Sequence, residues 1–149
     1  MKRSTPPAAI AAPPDPPPDA GLDAWLARLE ARNVDAVVLG LDRVRVVAER
    51  LGLAPGFPVI TVGGTNGKGS VCAYLEAMLA AAGYRVGCYT SPHLLRYNER
   101  VRVAGEAAGD ADLCRAFAAV EAARGDTPLT YFEQGTLAAL WLFAAAGVE

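Results

Sequence analysis

Neither sign of charge is in excess: fourteen Lys and Arg face sixteen Asp and Glu in 149 residues, a net of −2. A broad basic face for nucleic acid is therefore not expected. Cysteine is scarce. The three residues, Cys72, Cys88 and Cys114, are an odd number at no metal-binding spacing. They read as small apolar side chains in a reducing cytoplasm. Long apolar runs are missing too, since the longest, 135–148, falls short of the roughly 20 residues that span a bilayer. Met1-Lys2-Arg3 opens like a secretory leader, but prolines follow in place of an apolar segment. A cytoplasmic protein with no membrane and no nucleic-acid partner is expected. What is plentiful is apolar residue: 52% of the chain is hydrophobic and only 20% charged, enough for one packed domain.

Proline crowds the first twenty residues, at Pro6, Pro7, Pro13, Pro14, Pro16, Pro17 and Pro18. Such a segment supports neither helix nor ladder, and residues 1–20 read as a disordered tail of polyproline character. The pattern changes at 22, where Leu22, Trp25, Leu26 and Leu29 mark one face of a helix, with Asp19 or Asp23 as its cap and Asn33 as its stop. A second helix is expected from 41 or 42 to 51, ending at Gly52, with Val44, Val47, Ala48 and Leu51 inside.

The organising stretch is 59–70, V-I-T-V-G-G-T-N-G-K-G-S. Residues 59–62 have the composition of a strand buried on both faces. An amphipathic helix follows over 71–82, with Val71, Leu75, Met78, Leu79 and Ala82 inward and Gly83 as its stop. Strand, glycine-rich turn and helix form an anion cradle: glycine lets the backbone approach, the helix start adds partial positive charge and Lys68 adds a full one. Ser70 offers a hydroxyl of the kind that ligates Mg2+. The usual phosphate-loop pattern is G-x-x-x-x-G-K-[ST]; here Gly69 pushes the hydroxyl one place later. With 84–90 as a second strand, 59–90 makes a βαβ unit with parallel strands. Ser91 and His93, the single histidine, would follow at the ligand-binding edge. Beyond them, Val101 and Val103 alternate with Arg100 and Arg102 in an edge strand or hairpin. Residues 111–123 read as a helix with Leu113, Phe117 and Val120 inside. A buried helix runs from about 134 to 146.

G-T-N-G-K-G-S at 64–70 resembles the nucleotide loop of the Mur ligase superfamily. With Y-T-S-P-H-L at 89–94, N-E-R-V at 98–101 and L-T-Y-F-E at 129–133, the set resembles the folylpolyglutamate synthase and dihydrofolate synthase family from about residue 22 onward. The resemblance implies an α/β fold, a P-loop-type parallel sheet flanked by helices in a Mur-ligase-like ATP-binding domain. It implies an ATP- and Mg2+-dependent ligase that adds L-glutamate to dihydropteroate or folate through an acyl phosphate. Nucleotide binding falls to Gly64, Thr65, Asn66, Gly67, Lys68, Gly69 and Ser70, with Lys68 acting on the transferred phosphate. Metal ligation falls to Ser91 and Ser70. Pterin contacts fall to Ala36, Val37, Val38 and Leu39, and to Leu129, Thr130, Tyr131 and Phe132. The aromatic residues read equally well as core, and Arg96, Arg100 and Arg102 as either anion contacts or a solvated edge. The family's further metal ligands, a glutamate and a histidine, and its second domain lie beyond residue 149. Residues 21–149 thus read as a truncated N-terminal part of the ligase domain, inactive alone, from a full-length form expected to be a monomer. Two rivals stand beside this: a non-catalytic nucleotide-binding remnant, and another P-loop phosphotransferase.

Overall fold

The computed structural model describes residues 20–32, 40–54 and 56–149. The tail over 1–19, the expected cap Asp19, the stop Asn33 and the segment Ala36, Val37, Val38 and Leu39 lie outside the described residues. The elements in order are α1 (Leu22–Ala31), α2 (Asp42–Arg50), α3 (Lys68–Ala81), β1 (Gly87–Tyr89), a 3-10 turn (Tyr97–Arg100), β2 (Val101–Val103), β3 (Glu106–Ala107), α4 (Asp110–Arg124) and α5 (Tyr131–Ala145).

The core forms around α4, whose Leu113, Ala116, Phe117 and Val120 recur at helical spacing and are fully buried. On them pack α5 through Leu137, Ala138 and Ala139, α1 through Trp25 and Leu29, and α2 through Val47. Each large side chain so buried contributes about 1.5–3 kcal/mol. The Trp25 ring lies 6.2 Å from Phe117. Glu121 of α4 gathers Arg28 of α1 and Arg32 just past its end, at 3.1 and 2.7 Å, and Arg124, tying α1 down by charge as well as by packing. Helices α1 and α2 lie where their periodicities place them, and Gly52 has the positive φ of a helix-ending glycine. Asp23 sits in the first turn of α1 without capping it; Gly21 holds the cap position.

The sheet departs from expectation. It is antiparallel, in the order β1-β2-β3, with Gly87 opposite Val103, Cys88 opposite Arg102 and Tyr89 opposite Val101. No parallel pair occurs among the described residues, so the βαβ reading of 59–90 is not realised there. Residues 59–62 form no ladder, and Val59 and Ile60 are 63% and 60% exposed. A β-rich composition makes a strand only when another strand accepts its N–H and C=O groups. Here 59–62 finds no such partner among the described residues. The expected strand over 84–90 contracts to three residues, those that pair with β2. Helix α3 likewise buries no residue: Leu75 and Leu79 are half-buried, while Val71 and Met78 are 46% and 61% exposed and Ala82 is exposed. Its strongest contact is with β1.

Two glycines are set by close approach. A Cβ on Gly87 would stand 2.6 Å from the Phe143 ring, so α5 lies against the backbone of β1. A Cβ on Gly135 would stand 2.6 Å from the hydroxyl of Tyr97 and 3.0 Å from that of Tyr89. Asn98 completes the joint: its Nδ2 donates to the Ala108 carbonyl at 2.7 Å and to Asp110 Oδ1 at 2.8 Å, holding the 3-10 turn to the start of α4.

Candidate active site

The glycine loop ends in Gly67, φ +78°, directly before the first residue of α3. No side chain caps that terminus, so the leading N–H groups of the helix stay open to an external acceptor. Residues 63–70 are all exposed. At Gly64 φ is +145° and only one atom, the Asn66 carbonyl oxygen at 3.8 Å, would approach a Cβ; the backbone angle, not lack of room, calls for glycine there. Lys68 folds back on the loop, donating from Nζ to the Gly64 carbonyl at 2.6 Å and to that of Thr65 at 3.3 Å. The ammonium therefore sits over the loop with one of its three donors uncommitted.

Ser91 follows β1 across a cis peptide to Pro92 and is exposed. Its placement relative to the loop comes from Arg102. This arginine, opposite Cys88 in register, forks onto Glu76 of α3 (Nη2 to Oε2 2.6 Å) and also donates to Cys88 Sγ at 3.4 Å. Cys88 is thus level with the middle of α3, and β1 runs back toward the helix N-terminus. Three extended residues cover about 10 Å. Six residues of helix cover about 9 Å. Ser91 therefore arrives near the level of Ser70, six residues before Glu76, in the first turn of α3.

The Ser91 segment is held by its own continuation. The Glu99 carboxylate accepts from the N–H groups of Leu94, Leu95 and Arg96 at 2.8, 2.9 and 2.7 Å. Those backbone bonds, led by Leu94, hold its carboxyl below the usual carboxylate range. Arg100 Nε donates to His93 Nδ1 at 2.8 Å, which assigns the proton of the neutral imidazole to Nε2. The same guanidinium lies 5.3 Å from the Tyr97 ring centroid and 5.6 Å from that of Tyr131. Tyr97 and Tyr131 meet edge to face at 6.1 Å, and Tyr89 lies 6.0 Å from Phe132. Burial pushes the Tyr97, Tyr89 and Tyr131 phenols up, so these rings stay neutral.

The L-T-Y-F-E segment divides its side chains. Leu129 is fully buried in the core. The Thr130 hydroxyl accepts from the Glu133 N–H at 3.2 Å and the Glu133 carboxylate accepts from the Thr130 N–H at 2.8 Å: a capping box that starts α5 at Tyr131 rather than at 134. Tyr131 is half-buried and Phe132 is 53% exposed. The structure therefore gathers Tyr89, Tyr97, Arg100 and Gly135 beside the expected Tyr131 and Phe132; the sequence offers Arg100 as one of three possible anion contacts and does not place the other three there. Its one signal for those three was Gly135, a helix-weakening residue inside an apolar helix.

Among the described residues no group of three or more His, Cys, Asp or Glu side chains can hold a metal ion. Ser70 and Ser91 fit a divalent cation only as minor ligands, with phosphate oxygens and water supplying the rest of the shell.

No family model matches the chain. It is 54% identical over 129 residues to the dihydrofolate synthase/folylpolyglutamate synthase of Escherichia coli, an alignment that covers 86% of this chain and 31% of that protein. Escherichia coli FolC in complex with DHPP and ADP superposes with a TM-score of 0.85 at 51% identity, covering 91% of this chain and 33% of that one. The bifunctional folylpolyglutamate synthase/dihydrofolate synthase of Yersinia pestis, complexed with AMPPNP and Mn ion, does so with a TM-score of 0.87 at 53% identity, covering 91% and 33%. The chain spans about a third of the length of the curated relatives it matches. Over that stretch, sequence and fold together make it a member of the folylpolyglutamate synthase/dihydrofolate synthase family, corresponding to an N-terminal part.

Proposed function

We propose that these residues form the nucleotide loop and part of the substrate face of an ATP-dependent ligase that joins L-glutamate to dihydropteroate or a folate. The observation that carries the reading is the uncapped N-terminus of α3 behind a glycine loop, with Lys68 folded over it. The Lys68, Gly69 and Ser70 N–H groups would take phosphate oxygens, and the loop from Gly64 through Thr65 and Asn66 to Gly67 would wrap them. Lys68 would exchange its neutral carbonyl partners for anionic phosphate oxygens, pairing opposite charges. Ser70 and Ser91 would contribute hydroxyls to Mg2+. Tyr131 and Phe132 would bear on the pterin-bearing substrate, with Thr130 and Leu129 fixing them. When bound, Mg-ATP supplies the phosphoryl group that converts the substrate carboxylate to an acyl phosphate, from which the glutamate amine displaces phosphate. The residues here act by positioning and charge neutralisation. The 149-residue chain alone is expected to bind nucleotide weakly and not to turn over.

The test is a titration of the chain with a fluorescent ATP analogue and Mg2+. Lys68→Ala is expected to weaken binding on the order of tenfold or more, with unchanged circular dichroism. Equal affinity of the variant and the parent chain would overturn the reading.

A further inference from the structure

Three arginines border the Ser91 segment, and two are matched by acids: Arg96 pairs with Asp110 and Arg102 with Glu76. Arg100 is different. It is half-buried, and among the described residues its hydrogen-bond partner is the neutral Nδ1 of His93, with no carboxylate beside it. The remaining contacts are the faces of Tyr97 and Tyr131. A ring quadrupole attracts a cation without neutralising it. Both phenols are pushed up by burial, so neither supplies a phenolate. A partly desolvated guanidinium without a counter-charge is costly unless an anion completes it.

The surroundings say which anion. With Nε committed to His93, the end of the fork bearing the two Nη atoms is left, a spacing that matches two oxygens of a carboxylate or a phosphate, and the apolar ring surface beside it favours the carboxylate of an aromatic acid. The Tyr89 hydroxyl is buried beside the guanidinium, and Thr136 and Arg100 are the side chains that bear on it. The Phe132 ring beside Tyr89 is 53% exposed and offers a flat apolar platform. Resting on the ligase reading above, we propose that Arg100 is a specificity-determining residue that takes the benzoate-type carboxylate of a pteroate substrate on its Nη edge, with His93 fixing the guanidinium plane.

The experiment titrates the chain, with Mg2+ and a non-hydrolysable ATP analogue present, against three probes: dihydropteroate, its carboxamide, and the pterin alcohol that lacks the aminobenzoate. The parent chain is expected to bind dihydropteroate about tenfold or more tighter than the carboxamide. Arg100→Gln should erase that difference while leaving affinity for the pterin alcohol unchanged. Arg100→Lys, which keeps the charge and the ring contacts but not the fork, should retain part of it. If Arg100→Gln proves unfolded by circular dichroism, the lysine variant and the parent chain's preference for carboxylate over carboxamide decide the matter. Equal binding of carboxylate and carboxamide by the parent chain, or an equal loss for all three probes in the folded variant, overturns the role of Arg100 and leaves the ligase reading standing. Binding of none of the three by the parent chain overturns both.

Discussion

Replacing Gly135 by alanine sets two effects of similar size against each other. Alanine is the better helix former by about 0.8–1 kcal/mol. Its Cβ, however, would stand 2.6 Å from the Tyr97 hydroxyl oxygen and 3.0 Å from that of Tyr89, where carbon and oxygen ordinarily stay beyond 3 Å. Tyr97 has little room to retreat: it is 4% exposed, with Phe117 at 5.5 Å and Tyr131 at 6.1 Å. Overpacking of this kind typically costs about 1–3 kcal/mol. Strain therefore wins, and Gly135→Ala is expected to destabilise by about 1 kcal/mol, lowering Tm by about 4 °C. The decisive comparison is made in a Tyr97→Phe background, which deletes the oxygen at 2.6 Å. There the same substitution should be neutral or stabilising, a coupling of about 1 kcal/mol or more. Thermal melts of the four chains read it directly. A rise in Tm for the single variant, or the same cost in both backgrounds, would refute the reasoning.

Glu76→Gln should loosen α3 selectively, since it removes the charge that Arg102 holds at 2.6 Å, at a cost of about 1–3 kcal/mol. Amide exchange should quicken along α3 and stay slow in α4 and α5; unchanged α3 protection would contradict this. Glu99 makes the Ser91 segment sensitive to acid. Its folded carboxyl lies below its ordinary value of 4.5, so the bonds to Leu94, Arg96 and Leu95 are complete above that pH and are lost as pH falls through the lowered folded value. Amide chemical shifts of these three residues should follow that transition and become flat with pH in Glu99→Gln; a variant that still titrates in step with the parent chain would show that another group is responsible.

The helices of this protein could be read directly from the chain, because a period of 3.6 residues is a local property. Leu22, Trp25 and Leu29, and Leu113, Phe117 and Val120, announced their faces before any partner was known. The glycine-rich turn before α3 could be read for a related reason: glycines at 64 and 67 are needed by their own backbone angles, whatever surrounds them. The T-x-x-E of a capping box stood equally plainly at Thr130 and Glu133, though its reach of one turn back along the chain was overlooked. Strand direction was of another kind. Residues 59–62 have a strand's composition, but pairing depends on which segments the fold brings together, and β1 pairs with β2, more than ten residues further on. The aromatic site was equally beyond local reading. Tyr89, the pair Tyr97 and Arg100, and Gly135 come from three different elements, and no spacing in the chain relates the three. Local composition and period determined the helices and the loop; contacts between distant segments decided the sheet, the exposed face of α3 and the residues around Arg100, because their energies exist only once the chain has brought those segments together.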